Sequence, residues 1–303
     1  MADPIRLYAE FTDDLGTDYR VNIHDADFTG TAGTFKLGAD GFVLTYTGNN
    51  EDRMQGVIGS ELTFTLTEET SIHTTFMDLL TTTPEQRFSV SVYKDPDGVN
   101  SPYWFGVLYP EQVTRPYDYQ PIQNTLTAAD DLGNLQYIKH DSTGGGDVPT
   151  LLLHCLNRTR ATHLWGTDVF LYYVNDFKAV DYTGSNQLID TGISNLSLGN
   201  PDSNGVNQYY STFEILESLT KVFNARLFQS EGVWWFLPLG AQQASTTLTV
   251  EGKQKDGTDI TQGTFSAARA FDSTLERLRG YQYSGLAPLK EVRRTRKYNG
   301  NYP

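Results

Sequence analysis

The chain has 303 residues, a formal net charge of −14 and an isoelectric point near 4.7. Acidity on this scale argues against a surface that grips duplex nucleic acid, because phosphate binding needs clustered Lys and Arg, although it leaves room for DNA to pass close by. One cysteine, Cys155, excludes an intrachain disulfide framework and a thiolate zinc cage, and no apolar run is long enough to cross a bilayer.

The length exceeds one average domain, so two domains are expected. Aromatic residues make up 13% of the chain, with 18 Tyr and 16 Phe, and together with the many Thr and Gly residues they favour strands and turns. The start, Met1-Ala2-Asp3-Pro4-Ile5-Arg6, lacks a basic segment followed by a hydrophobic one, so no signal peptide is read and folding in a cytosol is expected.

In chain order, Ile5 to Phe11, Tyr19 to His24, Phe42 to Thr47 and Glu61 to Thr67 read as strands, the last with Leu62 and Leu66 on one face and threonines on the other. Phe76, Leu79 and Leu80 mark a helix. It is followed by a hairpin of Arg87 to Tyr93 and Tyr103 to Tyr109 around Asp95-Pro96-Asp97-Gly98. Ile122 to Ala128 is another strand, with a short helical turn at Asp130 to Leu135. The Gly-rich stretch 140–147 is the expected linker between an N-terminal module, 1–139, and a second region, 148–303.

Beyond the linker, Asp147 caps a helix with Pro149 in its first turn and Leu151, Leu152, Cys155 and Leu156 buried. Trp165 to Phe177 reads as a strand, and Thr183 to Asn207, poor in large apolar groups, as a long surface loop. Residues 211–238 form a complete unit. Ser211 and Glu214 have capping-box spacing, Phe213, Leu216, Leu219 and Phe223 recur on one helical face, and Asn224 is a left-handed stop. A hairpin of Ala225 to Gln229 and Val233 to Leu237 follows, turning at Ser230-Glu231-Gly232, with Trp234 and Trp235 on opposite faces. Weaker strand signals lie at Thr246 to Val250 and Tyr281 to Tyr283.

The helix and hairpin at 211–238 echo those at 76–109. Arg87-Phe88 answers Arg226-Leu227-Phe228, and Trp104-Phe105 before Pro110 answers Trp235-Phe236 before Pro238. Internal duplication and chance reuse of a common supersecondary unit are both open.

Catalytic motifs are weak. Gly144-Gly145-Gly146 lacks the Lys and Ser/Thr of a phosphate loop, and His154-Cys155, adjacent on one helix, point apart. The other histidines have no metal-ligand spacing, so neither metal nor cofactor is expected. Glu68-Glu69 and Asp130-Asp131 do not by themselves supply two carboxyls facing each other across a sugar. Asp95 to Gly98 and Asp202 to Gly205 lack the later glutamate of a calcium loop. The basic run Lys290 to Lys297 has two readings: a strand edge protected by charge, or an electrostatic handle for an acidic neighbour, with Arg293, Arg294, Arg296 and Lys297 as interface residues.

Several segments together resemble the tail hub proteins of long-tailed phages: Gly59 to Phe64, Phe76 to Leu80, Trp104 to Leu108 and Leu126 to Leu135, then Phe213 to Leu237, and Tyr281 to Ser284 before Pro288-Leu289. The likeness covers most of residues 50–138 and 205–298. It implies a relative of the central baseplate hub of contractile tails, with two tail-tube-like β-barrel modules per chain, assembled as a homotrimer so that six barrels match a hexameric tube. It implies no catalysis. Partners would be a second and third copy, the distal tail or tail-tube protein, the tape-measure protein and tip or fibre proteins, with DNA as passing cargo. The location would be the distal end of the tail in the virion, after synthesis in the host cytoplasm. Many hubs carry further C-terminal domains for host binding or wall hydrolysis, which the short run after the basic segment does not match, so receptor binding is not expected of this chain.

The expected fold is therefore α+β, predominantly antiparallel β, with two barrel modules, a helix packed on each, and smaller inserted elements. Two other classes remain as alternatives. One is a carbohydrate-binding tail-tip module stacking a host-surface glycan on Trp104 or Trp165; the other is a cell-wall glycosidase using dispersed carboxylates.

Overall fold

The structure is a computed structural model that describes residues 3–48, 55–82, 87–95, 101–113, 115, 121–141, 146–165, 169–174, 187–201, 206–239 and 247–266. These belong to one compact unit, Met1–Ala267. The expected linker overlaps 142–145, which lies outside the described residues, as do the turn at 96–98, the later strand at 281–283 and the basic run 290–297.

The N-terminal half contains β1 (Ile5–Thr12), β2 (Asp18–Asp25), β3 (Gly33–Thr34), β4 (Lys36–Thr47), β5 (Gly59–Glu68), α1 (Ser71–Thr82), β6 (Phe88–Lys94), β7 (Ser101–Leu108) and β8 (Ile122–Ala129). Its strands form one eight-stranded sheet in the order β3-β1-β2-β6-β7-β8-β5-β4. Every pairing from β1 to β4 is antiparallel, whereas β3 runs parallel to β1. The two ends of the order, β3 and β4, are separated in the chain only by Phe35.

The sheet therefore rolls until its first and last strands meet, as the right-handed twist of strands and a shared apolar face favour. Along the seam, Phe11 of β1 packs edge-on against Phe42 of β4, with ring centroids 5.5 Å apart. Gly41, at φ +62, leaves room for that ring: a Cβ there would stand 2.9 Å from Phe11. Leu7, Val21, Ile23, Leu62, Phe64, Val90, Val92 and Leu126 fill the interior. β5 shows the cause, since Ser60, Leu62, Phe64, Leu66 and Glu68 alternate inward. One end is stopped by α1, whose Phe76 meets Phe88 at 5.4 Å. The other end is stopped by Phe11, Tyr19, Phe42 and Tyr103, which stack and cross at 5.3 to 6.0 Å.

After β8 come β9 (Gly146–Asp147), α2 (Val148–Leu156), β10 (Val169–Val174), α3 (Gln187–Asp190), β11 (Gly192–Ile193), β12 (Gly199–Pro201), β13 (Asn207–Tyr209), α4 (Thr212–Phe223), β14 (Ala225–Ser230), β15 (Val233–Pro238), β16 (Thr247–Gln254) and β17 (Asp259–Ser266). The second large sheet has five strands in the order β14-β15-β10-β16-β17, with β10 and β15 parallel. α2 and α4 belong to its core: Leu151, Leu152, Cys155 and Leu156 join Ile215, Leu216, Trp234 and Phe236 in one apolar cluster.

The expected α+β architecture, mostly antiparallel, is present. Two closed barrels are not: the first sheet returns on itself through the chain at Phe35, and the second is an open ladder among the described residues. The expected long loop at 183–207 is also corrected. From 187 onward it holds α3, β11, β12, part of β13 and a 3-10 turn at Asn195–Leu198, with Leu188 and Leu198 buried. Its apolar residues are too sparse for a periodic signal, yet two of them anchor it. β17 gave no strand signal in the sequence and pairs with β16.

Candidate functional site

Among the described residues, the buried polar side chains build a seam between the two sheets. β7 is its axis. Both faces of its second half are buried, Trp104 turning into the first core and Phe105 into the second. Gln229 of β14 reaches across to Phe105 as though it were another strand. Its Oε1 accepts from the Phe105 N–H at 2.7 Å and its Nε2 donates to the Phe105 carbonyl at 3.0 Å. Beside it, Gly56–Ile58 lines the outer edge of β14: the Leu227 N–H donates to Gly56 O at 2.7 Å and the Ile58 N–H to Leu227 O at 2.9 Å. An edge strand that would otherwise recruit a neighbour is thereby covered.

The β14–β15 turn closes the same seam. It is a two-residue turn rather than the expected three-residue loop, with Glu231 at φ 50 and Gly232 at φ 68, because two left-handed residues match the twist of the flanking strands. Gly232 donates to Tyr103 O at 2.8 Å, and its carbonyl accepts from Trp165 Nε1 at 2.7 Å. A side chain at 232 would collide with Pro102. Glu231 also meets Lys94 at 3.1 Å.

The acids that a sequence scan flags serve this framework. Asp131 is fully buried and pairs with Arg160 across the seam at 2.7 Å. Asp130 accepts from the Ser60 N–H at 2.5 Å, from Ser60 Oγ at 2.8 Å and from the Leu132 N–H at 3.1 Å. Burial pushes its carboxyl up to about 7 against those hydrogen bonds. Glu68 is held by Arg115 at 2.6 Å and by Thr74 at 2.7 Å. Burial works to raise its carboxyl, but Thr74, Arg115 and Asn124 outweigh it and hold the group below the usual range. Buried Asp25 receives both Arg6 and Arg87 at 2.7 Å. Burial again opposes ionisation, and Arg87, the Asp27 N–H and Arg6 together keep the carboxyl low.

Two histidine groups also lie where the halves meet. His163 Nε2 is 3.2 Å from Ser89 Oγ and 3.0 Å from Asp3 Oδ2, while its Nδ1 bonds Arg160 O at 2.8 Å. Serine and aspartate share one ring nitrogen here, whereas a nucleophilic triad needs them on opposite nitrogens, so Ser89 is not activated. His24 stands beside this group, bonded to Ser91 Oγ and Asp3 O at 2.8 Å each. In the second group, His140 and His154 meet edge to face with centroids 5.1 Å apart. Cys155 is buried, its thiol pushed up to about 12 by burial, which makes it inert as a nucleophile. Among the described residues, no group of three or more His, Cys, Asp or Glu side chains is placed to hold a metal.

The sugar-stacking alternative meets a direct obstacle: Trp104 and Trp165 are both core residues and present no face to a ligand. The dispersed-carboxylate alternative loses Glu68, Asp130 and Asp131, which are buried and engaged as described. Arg293, Arg294, Arg296 and Lys297 lie outside the described residues. Among the described residues, the most exposed large apolar side chains are Tyr137 at 78%, Leu196 at 77% and Leu15 at 74%. Sequence reasoning missed Gln229 as the cross-sheet staple; its only signal was an amide at an inward position of an otherwise apolar strand.

No family model matches the chain, and no curated protein matches it. Two solved structures are similar in part. The prophage MuSo2 43 kDa tail protein from Shewanella oneidensis aligns over 65% of this chain and 55% of its own, at 11% identity and a TM-score of 0.31. The prophage tail protein gp18 from Listeria monocytogenes EGD-e aligns over 61% of this chain and 41% of its own, at 12% identity and a TM-score of 0.29. The matched region thus spans about half the length of these chains, and at this TM-score the likenesses carry no argument.

Proposed function

We propose that this chain is a structural protein of a phage tail, forming a hub ring that closes the distal end of the tail tube and joins it to tip or fibre proteins. The observation that carries the reading is the rolled first sheet. From β1 through β2, β6, β7, β8 and β5 to β4 the directions alternate, and the stretch β3-Phe35-β4 lays the last strand's own beginning beside the first. A sheet rolled in this way, its two ends joined through the covalent chain, supports the barrel module that the resemblance implies. The five-stranded sheet with α2 and α4 takes the place of the second module.

The charge distribution supports assembly. Residues 268–303 carry eight Lys and Arg against three Asp and Glu, a net of +5, while residues 1–267 carry a net of −19. A basic segment in a chain whose remainder is this acidic is complementary to a second copy, and Arg293, Arg294, Arg296 and Lys297 are its densest part. In this reading the chain catalyses no reaction. Its partners are two further copies, the tube protein, the tape-measure protein and tip proteins, with DNA passing through an acidic or neutral lumen to which it does not adhere.

The test is negative-stain imaging of the purified chain, alone and with its tube-side partner, at low and moderate salt. The expected result is a threefold ring with a central hole wide enough for duplex DNA, weakened in a salt-sensitive way by replacing Arg293, Arg294 and Arg296 with Glu. Monomers under every condition, with and without the partner, would sink the proposal.

A further inference from the structure

We propose that His140 and His154 form an acid-sensitive latch, which releases the chain between the two sheets as the pH falls from neutral toward about 5, through the ordinary histidine range. This is independent of the assembly reading.

The latch sits where the first half hands over to the second. The segment carrying His140 is tied to the start of α4 by main-chain bonds: the His140 N–H donates to Tyr210 O at 3.0 Å, and the Thr212 N–H to Ile138 O at 2.8 Å. Its side chain is 3% exposed and lies against the rings of His154 and Tyr209, at 5.1 and 5.7 Å. The polar group that approaches the His140 ring is the Asn195 side chain.

His154, on α2, sits between a guanidinium and a carboxylate. Arg158 Nη2 stands 3.1 Å from His154 Nε2, and a guanidinium can only donate, so in the neutral ring that nitrogen is an acceptor and the proton lies on Nδ1; Asp141 Oδ1 lies 3.4 Å from the same nitrogen. Arg158 also donates to Lys139 O at 2.9 Å and grips Asp141, so one guanidinium ties α2 to residues 139–141. The charged and polar groups facing the two imidazoles are Asp141 from the same segment, Arg158 from the turn after α2, Asn195 from the 3-10 turn and Tyr209 from β13. Lys139 lies toward Glu214 instead. Asp141 is thus the single carboxylate among these groups, set against Arg158 and two imidazoles.

Protonating His154 Nε2 ends its role as acceptor for Arg158 and turns it toward Asp141 Oδ1, 3.4 Å away. The Arg158–His154 bond is then lost, and His154 competes with Arg158 for the one carboxylate that Arg158 uses to tie α2 to residues 139–141. Protonating His140 adds a second buried cation beside it. Burial first, then the neighbouring positive charges, hold both rings below the usual histidine range, with Asp141 opposing. Depressed folded-state values mean that the stability these rings contribute is fully present above about 6.5 and is lost as the pH falls through their folded-state values.

The experiment is amide hydrogen exchange on the full chain at pH 7.5 and pH 5.0, corrected for intrinsic rates. Protection at His140 and Thr212 is expected to fall about tenfold more than protection along β6, as a local opening does and a global loss of stability does not. In His154→Gln, which keeps an acceptor for Arg158 and cannot charge, that extra loss is expected to disappear. Equal loss at both places in the wild-type chain, or a Gln variant that keeps the difference, would overturn the latch. Should His154→Gln not fold, imidazole titration by NMR in the wild-type chain decides: midpoints below free histidine support the latch, and midpoints at or above it refute it.

Discussion

The two helix–hairpin units, α1-β6-β7 and α4-β14-β15, share a sequence grammar and occupy different mechanical positions. β6 and β7 lie inside the eight-stranded sheet, flanked by β2 and β8 through antiparallel ladders. β14 and β15 lie at the edge of the five-stranded sheet, where β15 meets β10 in parallel and the outer side of β14 is lined by Gly56–Ile58. Their helices differ too. α1 is tied to the seam of the rolled sheet by His73, whose Nδ1 accepts from the Glu69 N–H at 3.1 Å while Nε2 donates to Thr34 O at 2.8 Å. α4 carries its own stops, a complete capping box at Ser211 and Glu214 and a left-handed Asn224.

The lesson is that equivalent local signals were assigned different loads by their surroundings. Arg87 and Arg226 rhyme in sequence, yet Arg87 engages a fully buried carboxylate, Asp25, that also holds Arg6. Trp104 and Trp235 rhyme as well; Trp104 is buried and donates to Ser60 Oγ at 2.9 Å, whereas Trp235 is half-buried and donates to Ser230 O at 3.0 Å. The first hairpin is held by charge at its end and ladders on both sides. The second is held by a ladder to β10 on one side, two main-chain bonds to Gly56–Ile58 on the other, the Gln229 amide, the Gly232 turn contacts and a capped helix.

Four measurements would break or sharpen this contrast. The largest effect is expected at the first hairpin: Asp25→Ala leaves two arginines facing an emptied buried site and should cost about 3–5 kcal/mol in urea unfolding. A loss under about 1 kcal/mol, the range of surface pairs, would show that the charge is not what holds it. At the second hairpin, Gln229→Ala strands the N–H and carbonyl of Phe105 and should cost about 2–4 kcal/mol, roughly the desolvation of two backbone groups. Within α4, Ser211→Ala removes the cap and should cost about 1 kcal/mol. Lys221→Ala, which removes the exposed pair with Glu217, should cost no more than about 0.5 kcal/mol.

The pH dependence carries the same contrast. Asp25 and Glu68 have folded-state values below their unfolded ones, so their stabilisation is present above the ordinary carboxylate range of about 4 and is lost as the pH falls through the folded-state values. Asp130 works in the opposite sense. Its folded-state value of about 7 means that the folded chain gains stability from it as the pH drops from above 7 toward 4. Asp130→Asn should flatten that part of a stability profile measured by urea unfolding, and an unchanged profile would show that Asp130 is ionised at neutral pH.

Local structure was legible wherever one face of an element is buried and a stop residue follows. β5 alternates as its sequence does, α4 starts and ends at its caps, and Asp147 accepts from the Thr150 N–H at 2.7 Å to begin α2. The apolar face of α4 came out wider than its periodicity, with Ile215 and Thr220 buried and Phe213 and Phe223 at the margin, because the helix is enclosed on more than one side. Residues 187–201 and β17 were missed because short elements with few apolar residues have no period to read.

What the sequence by itself determined is most of the longer elements and the core of their inward faces, since side-chain spacing and capping act within a few residues. Only the tertiary structure decided that β3 and β4 are the two ends of one sheet, that Gln229 substitutes for a strand against Phe105, and that Asp131 and Arg160 meet across the seam. Each of these joins residues through space by a partner that no local pattern names: a backbone amide, a sheet edge or a buried charge is specific only once the opposite group has been brought to it.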